Sequence, residues 1–272
     1  MSLPSLDRSA SASAPAPASA AVVVARLRAA GCVFAEDEAE MIMSAARDAA
    51  ELAEMVERRA VGLPLEHVVG YAEFCGLRIE VDTEVFVPRR RTEALVQRAA
   101  ALAPSRAVVV DLCCGSGALG VALADRLDEV ELYASDVDPA AVRCARRNVA
   151  AAGGTAYEGD LFDPLPAALK GRVDVLLSNV PYVPTVEIEL LPAEAREHEA
   201  RVALDGGADG LEVLRRVVAG AAEWLAPQGV LLFETSERQS DEAVAAVAAA
   251  GLRARVTTDE ELDATVIVAS LS

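Results

Sequence analysis

Short apolar runs alternate with stretches of helical period from residue 107 onward, the pattern of a parallel sheet wrapped by helices. The runs at 108–112, 132–135, 155–157, 173–177 and 230–233 predict five strands. Two more, near 252–256 and 265–268, follow with only a short loop between them. Helices are expected over 118–127, 211–225 and roughly 241–250, the last closed by Gly251. Upstream, Ile42, Ala45, Ala49, Leu52 and Val56 recur at helical spacing and predict one long helix ending at Gly62-Leu63-Pro64. Its first turns carry Glu36, Asp37, Glu38 and Glu40, where negative charge suits the helix dipole. A shorter helix over 21–30, closed by Gly31, precedes it. Residues 69–87 largely alternate apolar and polar around Cys75-Gly76, a hairpin signal. The helix after Pro88–Glu93 is expected to bury Leu95, Ala99 and Leu102. The expected organisation is a disordered tail over 1–20, a helical domain over 21–68, a hairpin linker over 69–90 and an α/β domain over 91–272.

Composition narrows the class. Of 272 residues 53% are hydrophobic, yet no run reaches the ~20 apolar residues that span a bilayer, so no membrane association is expected. Cysteines 32, 75, 113, 114 and 144 form no C-x-x-C pair, and only His67 and His198 accompany them. Neither a zinc site nor a disulfide framework fits, and a reducing cytoplasm is the expected compartment. A formal net charge of −18 disfavours nucleic acid as a partner. Arg89, Arg90 and Arg91 form the one basic tract, which could bind an anionic ligand but reads better as a solvated face at a helix start.

The chemistry concentrates where predicted strands end. Asp111-Leu112 runs into Cys113-Cys114-Gly115-Ser116-Gly117, whose glycines let backbone N–H groups approach a ligand at the start of the next helix. Asp136 lies 25 residues after Asp111, one βαβ unit on, where a ribose with two free hydroxyls would lie. The same order also fits a glycine turn with a solvated Asp. Asp160 could accept from an adenine amino group while Leu161 or Phe162 covers the ring, although Phe162 reads better as core. After the fourth strand comes Ser178-Asn179-Val180-Pro181-Tyr182-Val183. There an Asn carbonyl, a main-chain carbonyl and a flat ring can surround one planar NH2 group. Taken alone, the stretch is equally a strand-ending turn. A long connection with several carboxylates follows, Glu187, Glu189, Glu194, Glu197 and Glu199, and the lone His198 among them reads as a surface residue more than a catalyst.

The motifs in this order resemble the protein-glutamine methyltransferase family of the HemK/PrmC type, over roughly residues 60–257. The matching positions are Pro64-Leu65, Gly70, Phe74-Cys75-Gly76-Leu77, Pro88-Arg89 with Thr92-Glu93, the Asn179–Tyr182 stretch, Ala203-Leu204-Asp205-Gly206-Gly207 and Asp209-Gly210-Leu211. The resemblance implies a Rossmann-like seven-stranded S-adenosylmethionine-dependent methyltransferase fold and methylation of the Gly-Gly-Gln glutamine of a peptide-chain release factor. It implies cofactor binding by Asp111, Cys113, Cys114, Gly115, Ser116, Gly117, Asp136, Asp160, Leu161 and Asn179, with no metal. It implies an acceptor clamp of Asn179, Val180, Pro181 and Tyr182, a helical N-terminal domain that docks the protein substrate, and action as a monomer. The chain departs from the family's Asn-Pro-Pro-Tyr at Val180 and from its glycine loop at Cys113-Cys114. It also departs from the usual Pro-Arg-Pro-Glu-Thr-Glu at Arg90 and Arg91. Methylation of another planar NH2, in DNA adenine or a small molecule, and non-catalytic cofactor binding are the alternatives.

Overall fold

The computed structural model describes residues 19–272, so the expected tail lies outside the described residues up to residue 18. The chain divides into two compact units between Val69 and Gly70. Among the described residues the first holds four helices: α1 (Ala20–Ala29), α2 (Ala35–Ala45), α3 (Ala49–Ala60) and α4 (Leu65–Val69). Val23, Leu27, Ile42, Leu52, Met55, Val56 and Val68 form its core. The single long helix expected from the apolar period is two helices. Ala46 is extended, and the Asp48 carboxylate accepts from Ala50 N and Glu51 N, each at 2.9 Å. Glu51 reciprocates by accepting from Arg47 N at 2.7 Å. This near-capping box starts a new helix while the apolar spacing runs on across the break. In the interior Arg59 pairs with Glu38 at 2.6 Å.

The second unit begins with the hairpin β1 (Tyr71–Phe74) and β2 (Leu77–Glu80), turned through Cys75 and Gly76, which both have positive φ. The hairpin is shorter than the alternating stretch that predicts it, and residues 81–87 run on without a strand partner in the sheet. Next come α5 (Glu93–Leu102), β3 (Arg106–Leu112), α6 (Ala118–Ala124), β4 (Glu129–Asp136) and α7 (Pro139–Ala151). They are followed by β5 (Thr155–Glu158), β6 (Val173–Ser178), α8 (Ala193–His198), α9 (Glu212–Trp224) and β7 (Leu225–Thr235). The chain closes with α10 (Ser240–Ala249), β8 (Leu252–Asp259) and β9 (Ala264–Leu271). Leu102, expected inside, is 40% exposed because the buried stripe of α5 is Ala94, Leu95, Val96 and Ala99.

One seven-stranded sheet has the order β5-β4-β3-β6-β7-β9-β8, with only β9 antiparallel to its neighbours. Two cores cover its faces. Val109, Val175, Leu177 and Leu232 face one way, while Val110, Leu112, Leu176 and Phe233 face the other. Central strands with both faces buried read as continuous apolar runs, which is why β3, β6 and the end of β7 are legible from sequence.

Asn148 on α7 joins three parts of this unit. Its carboxamide accepts from Glu80 N at 3.0 Å and donates to Glu80 O at 2.9 Å and Ser116 O at 2.8 Å. Asn148→Ala would leave three backbone groups without these bonds, at about 1 kcal/mol or more each. The expected outcome in urea denaturation is a loss of about 3 kcal/mol; a change below about 0.5 kcal/mol contradicts this role.

Candidate active site

Strand order reverses between β3 and β6, and ligands of open α/β sheets bind beyond the carboxyl ends of strands at such a point. A cavity of about 640 Å³ opens there. Its wall is made by the loops after β3 (Cys113–Ser116), β4 (Asp136, Asp138), β5 (Asp160, Leu161) and β6 (Asn179–Val183). The long connection before α9 and the Pro88–Thr92 turn complete the rim.

On the β3 and β4 side the loops are held by strand-end side chains. Ser135 Oγ donates to Leu161 O at 2.7 Å, and Ser178 Oγ to Leu112 O at 3.2 Å. Asp136 accepts from Gly115 N and from Asp138 N, each at 2.9 Å, and the Asp138 carboxylate in turn caps α7 through Ala140 N. Burial pushes the Asp136 carboxyl above its ordinary range despite these bonds. Asp160 pairs with Arg216 of α9, which also lines the cavity. Ser116 Oγ is buried and has no partner among the described residues. Cys113 takes φ +54, a left-handed conformation that ordinarily favours glycine. Burial drives its thiol and that of Cys114 strongly upward, so neither is a ready thiolate.

On the β6 side, Asn179 Oδ1 is buried, and no donor among the described residues reaches it. Val180 is 3% exposed and packs in the core with Leu112, Leu161, Leu211 and Leu214. The side chain that stands in place of the family's proline therefore has a packing role. The 203–210 loop is pinned against this stretch: Val183 N donates to Leu204 O at 3.1 Å, and Gly206 N to Val183 O at 2.8 Å. A Cβ at Gly210, whose φ is +79, would stand 2.3 Å from Tyr182 O, so the close approach requires glycine. Gln239 Nε2 donates to that same carbonyl at 3.0 Å.

The structure lines the cavity with every predicted site residue except Asp111 and Gly117. Those two stand behind the wall. Asp111 is fully buried and accepts from Gly120 N at 2.9 Å; Gly117, at φ +80, packs close to Val149. Phe162 stacks on Trp224, with centroids 5.4 Å apart, and is core. Of the arginine tract expected to be a solvated face, Arg90 and Arg91 are exposed and Arg89 is half-buried. Among the described residues Arg90 has no ion pair, while Arg89 binds Glu199 at 2.6 Å and Arg91 binds Glu234 at 2.6 Å. Glu199, one of the carboxylates of the long connection, is buried and also accepts from Val87 N at 3.1 Å. Charge partners 110 and 143 residues apart leave no local signal. Gln239 and Arg216 were likewise invisible, since each acts through tertiary contact. Among the described residues, no group of three or more His, Cys, Asp or Glu could hold a metal ion, and no helix is long and apolar enough to cross a membrane.

Residues 89–209 match the methyltransferase small domain family. The chain is 42% identical over 189 residues to a release factor glutamine methyltransferase of Geobacter sulfurreducens, covering 69% of this chain and 66% of that protein. It is 40% identical over 210 residues to the Mycolicibacterium smegmatis protein of the same name, covering 76% and 74%. Among solved structures, a methyltransferase from Pyrococcus furiosus superimposes with TM-score 0.54 at 16% identity, covering 72% of this chain and 90% of that one. The fold is thus the Rossmann-like fold of methyltransferases.

Burial raises the Asp111 carboxyl from 3.8 to about 8, partly opposed by the Gly120 N–H and reinforced by Asp136. Across that window the folded protein keeps a proton that the unfolded chain has released, so stability falls as pH rises from about 4 to about 8. Asp111→Asn retains an oxygen for Gly120 N and removes the titration. Urea denaturation of the variant between pH 5 and 8 is expected to show a shallower decline than the wild type; parallel curves contradict the assignment.

Proposed function

The chain belongs to the release factor glutamine methyltransferase family, and from that premise we propose that it methylates the side-chain amide nitrogen of a protein glutamine, with S-adenosylmethionine as methyl donor. The observation that carries the reading is the buried, unpartnered Asn179 Oδ1 at the cavity wall, since a buried acceptor without a donor calls for one from outside the fold.

The residues present fit the cofactor. Its ammonium, ribose hydroxyls and adenine amino group are donors, and the wall offers Asp136 and Asp160 as acceptors. Ser116 Oγ adds a buried hydroxyl free to bond. A Cβ at Gly115, whose φ is +55, would meet Phe86 Cβ at 4.0 Å, so the loop faces the cavity without crowding. When bound, the cofactor supplies a methyl group on a cationic sulfonium.

An amide nitrogen is a poor nucleophile because its lone pair is delocalised into the carbonyl. Asn179 Oδ1, brought round by rotation about the soft terminal bond of its side chain, accepts one substrate N–H, and the Val180 main-chain carbonyl accepts the other. With both N–H groups held, the lone pair is oriented for in-line transfer, in which the new N–C bond would replace the donor's S–C bond and one N–H proton would be released to water. Carbonyl acceptance does not require proline at 180, and the buried Val180 side chain holds that peptide in place. Tyr182 packs the substrate group. We assign docking of the protein substrate to the helical unit, a cytoplasmic setting to the enzyme and a monomer to its working form. The Gly-Gly-Gln glutamine of a peptide-chain release factor is the substrate most consistent with the family.

Incubation with S-adenosylmethionine and a release factor, followed by peptide mass spectrometry, is expected to show one added methyl on that glutamine. An unmodified glutamine beside a working control enzyme overturns the substrate. By calorimetry, Asp136→Ala is expected to weaken S-adenosylmethionine binding by roughly tenfold or more, the scale of one charge-assisted hydrogen bond; unchanged affinity contradicts its role.

A further inference from the structure

We propose that Arg91 is a positioning residue of the acceptor site, fixing the Tyr182 ring against the substrate by tying its phenol to the buried carboxylate of Glu234. The inference rests on the methyltransferase reading above and concerns a position where the family usually carries glutamate.

Arg91 sits in the short turn Arg90–Thr92 before α5 and lines the cavity. Its Nε donates to Glu234 Oε1 at 2.6 Å and its Nη2 to the Tyr182 phenol oxygen, with the guanidinium carbon 6.0 Å from the ring centroid. Glu234 follows the Phe233 that pairs with Ser178, which places its carboxylate beside the start of the acceptor stretch. The Glu234 side chain is 3% exposed, and its Oε2 finds no donor among the described residues. A buried carboxylate needs a partner, and among the described residues Arg91 is the one cation paired with it. The planar guanidinium fork can serve two acceptors in a fixed geometry, which an ammonium on a flexible stem does not do. Tyr182 is therefore held at both ends, its carbonyl by Gln239 and its phenol by Arg91. Burial and Glu234 push the phenol pKa upward while Arg91 draws it back, as this arrangement requires. A glutamate at position 91 would set two carboxylates together, so the hold belongs to this chain's own sequence.

The test labels the four tyrosines with fluorotyrosine and assigns the Tyr182 fluorine line by its loss in Tyr182→Phe. In Arg91→Ala the Tyr182 line is expected to move. The kcat for methyl transfer to a release factor is expected to fall about tenfold, within the ~10²-fold that a misplacement of about 1 Å costs. KM and S-adenosylmethionine affinity are expected to stay within about twofold, because Arg91 holds the ring and not the cofactor. Arg91→Lys restores the charge without the fork and is expected to remain slow, and Arg91→Ala/Tyr182→Phe to be no slower than the slower single variant. Arg91→Ala/Glu234→Gln removes the unpaired anion, and it serves as the folded reference should Arg91→Ala not fold. An unmoved Tyr182 line in either Ala variant, or wild-type kcat in Arg91→Lys, overturns the proposal. A wild type that transfers no methyl to the release factor overturns the functional reading instead, and the Tyr182 line still decides the Arg91 hold.

Discussion

A buried amide oxygen that meets no donor costs about 1–3 kcal/mol, and this fold carries one, on Asn179, just beyond β6. Much of the second unit can be understood as the framework that keeps this group in place. The parallel strands β3 and β6 deliver their carboxyl ends side by side, with Leu112 opposite Ser178. The Ser178 hydroxyl then ties β6 back to Leu112 before the chain turns. The cavity is the outcome of strand order, and the chemistry is the outcome of what stands at the strand ends.

The loops around the cavity gain order from long-range pairs more than from their own conformation. Arg89 reaches Glu199, Arg91 reaches Glu234, and Glu93 accepts from Cys75 N at 3.0 Å, so one short turn fastens the hairpin, the long connection and the end of β7. Gly206 and Gly210 let the 203–210 loop lie directly on the Pro181 and Tyr182 carbonyls. Asn148 links the hairpin to the glycine loop from the opposite side. Groups of this kind are expensive to bury singly and rigid once paired.

The central strands were legible because burial on both faces writes an unbroken apolar run, as in Val108 to Val110. The site was legible in its backbone frame, since Gly115, Asp136 and Asn179 each stand at or just past the carboxyl end of a strand, and Asp136 lies one βαβ unit beyond Asp111. The break between α2 and α3 was missed because the apolar period runs across it, and only the Asp48 and Glu51 side chains reveal it. Nothing local in the sequence marks Glu199 and Glu234 as buried. Their burial depends on arginines over a hundred residues away, and a lone carboxylate in sequence looks like surface. Val180 and Cys113, conspicuous as departures, fit the fold: one fills core, and the other adopts the left-handed backbone of the glycine it replaces.

The central claim is that the Asn179 oxygen is left unpaired for a substrate amide, and it is tested most directly by measuring folding stability and methyl transfer together in Asn179→Ala. Transfer is expected to fall by roughly 10²-fold or more. The ligand-free variant is expected to be as stable as the wild type or more so, because no internal hydrogen bond of that oxygen is lost. Wild-type turnover, or lost transfer accompanied by a loss of stability of about 1 kcal/mol or more, would contradict it.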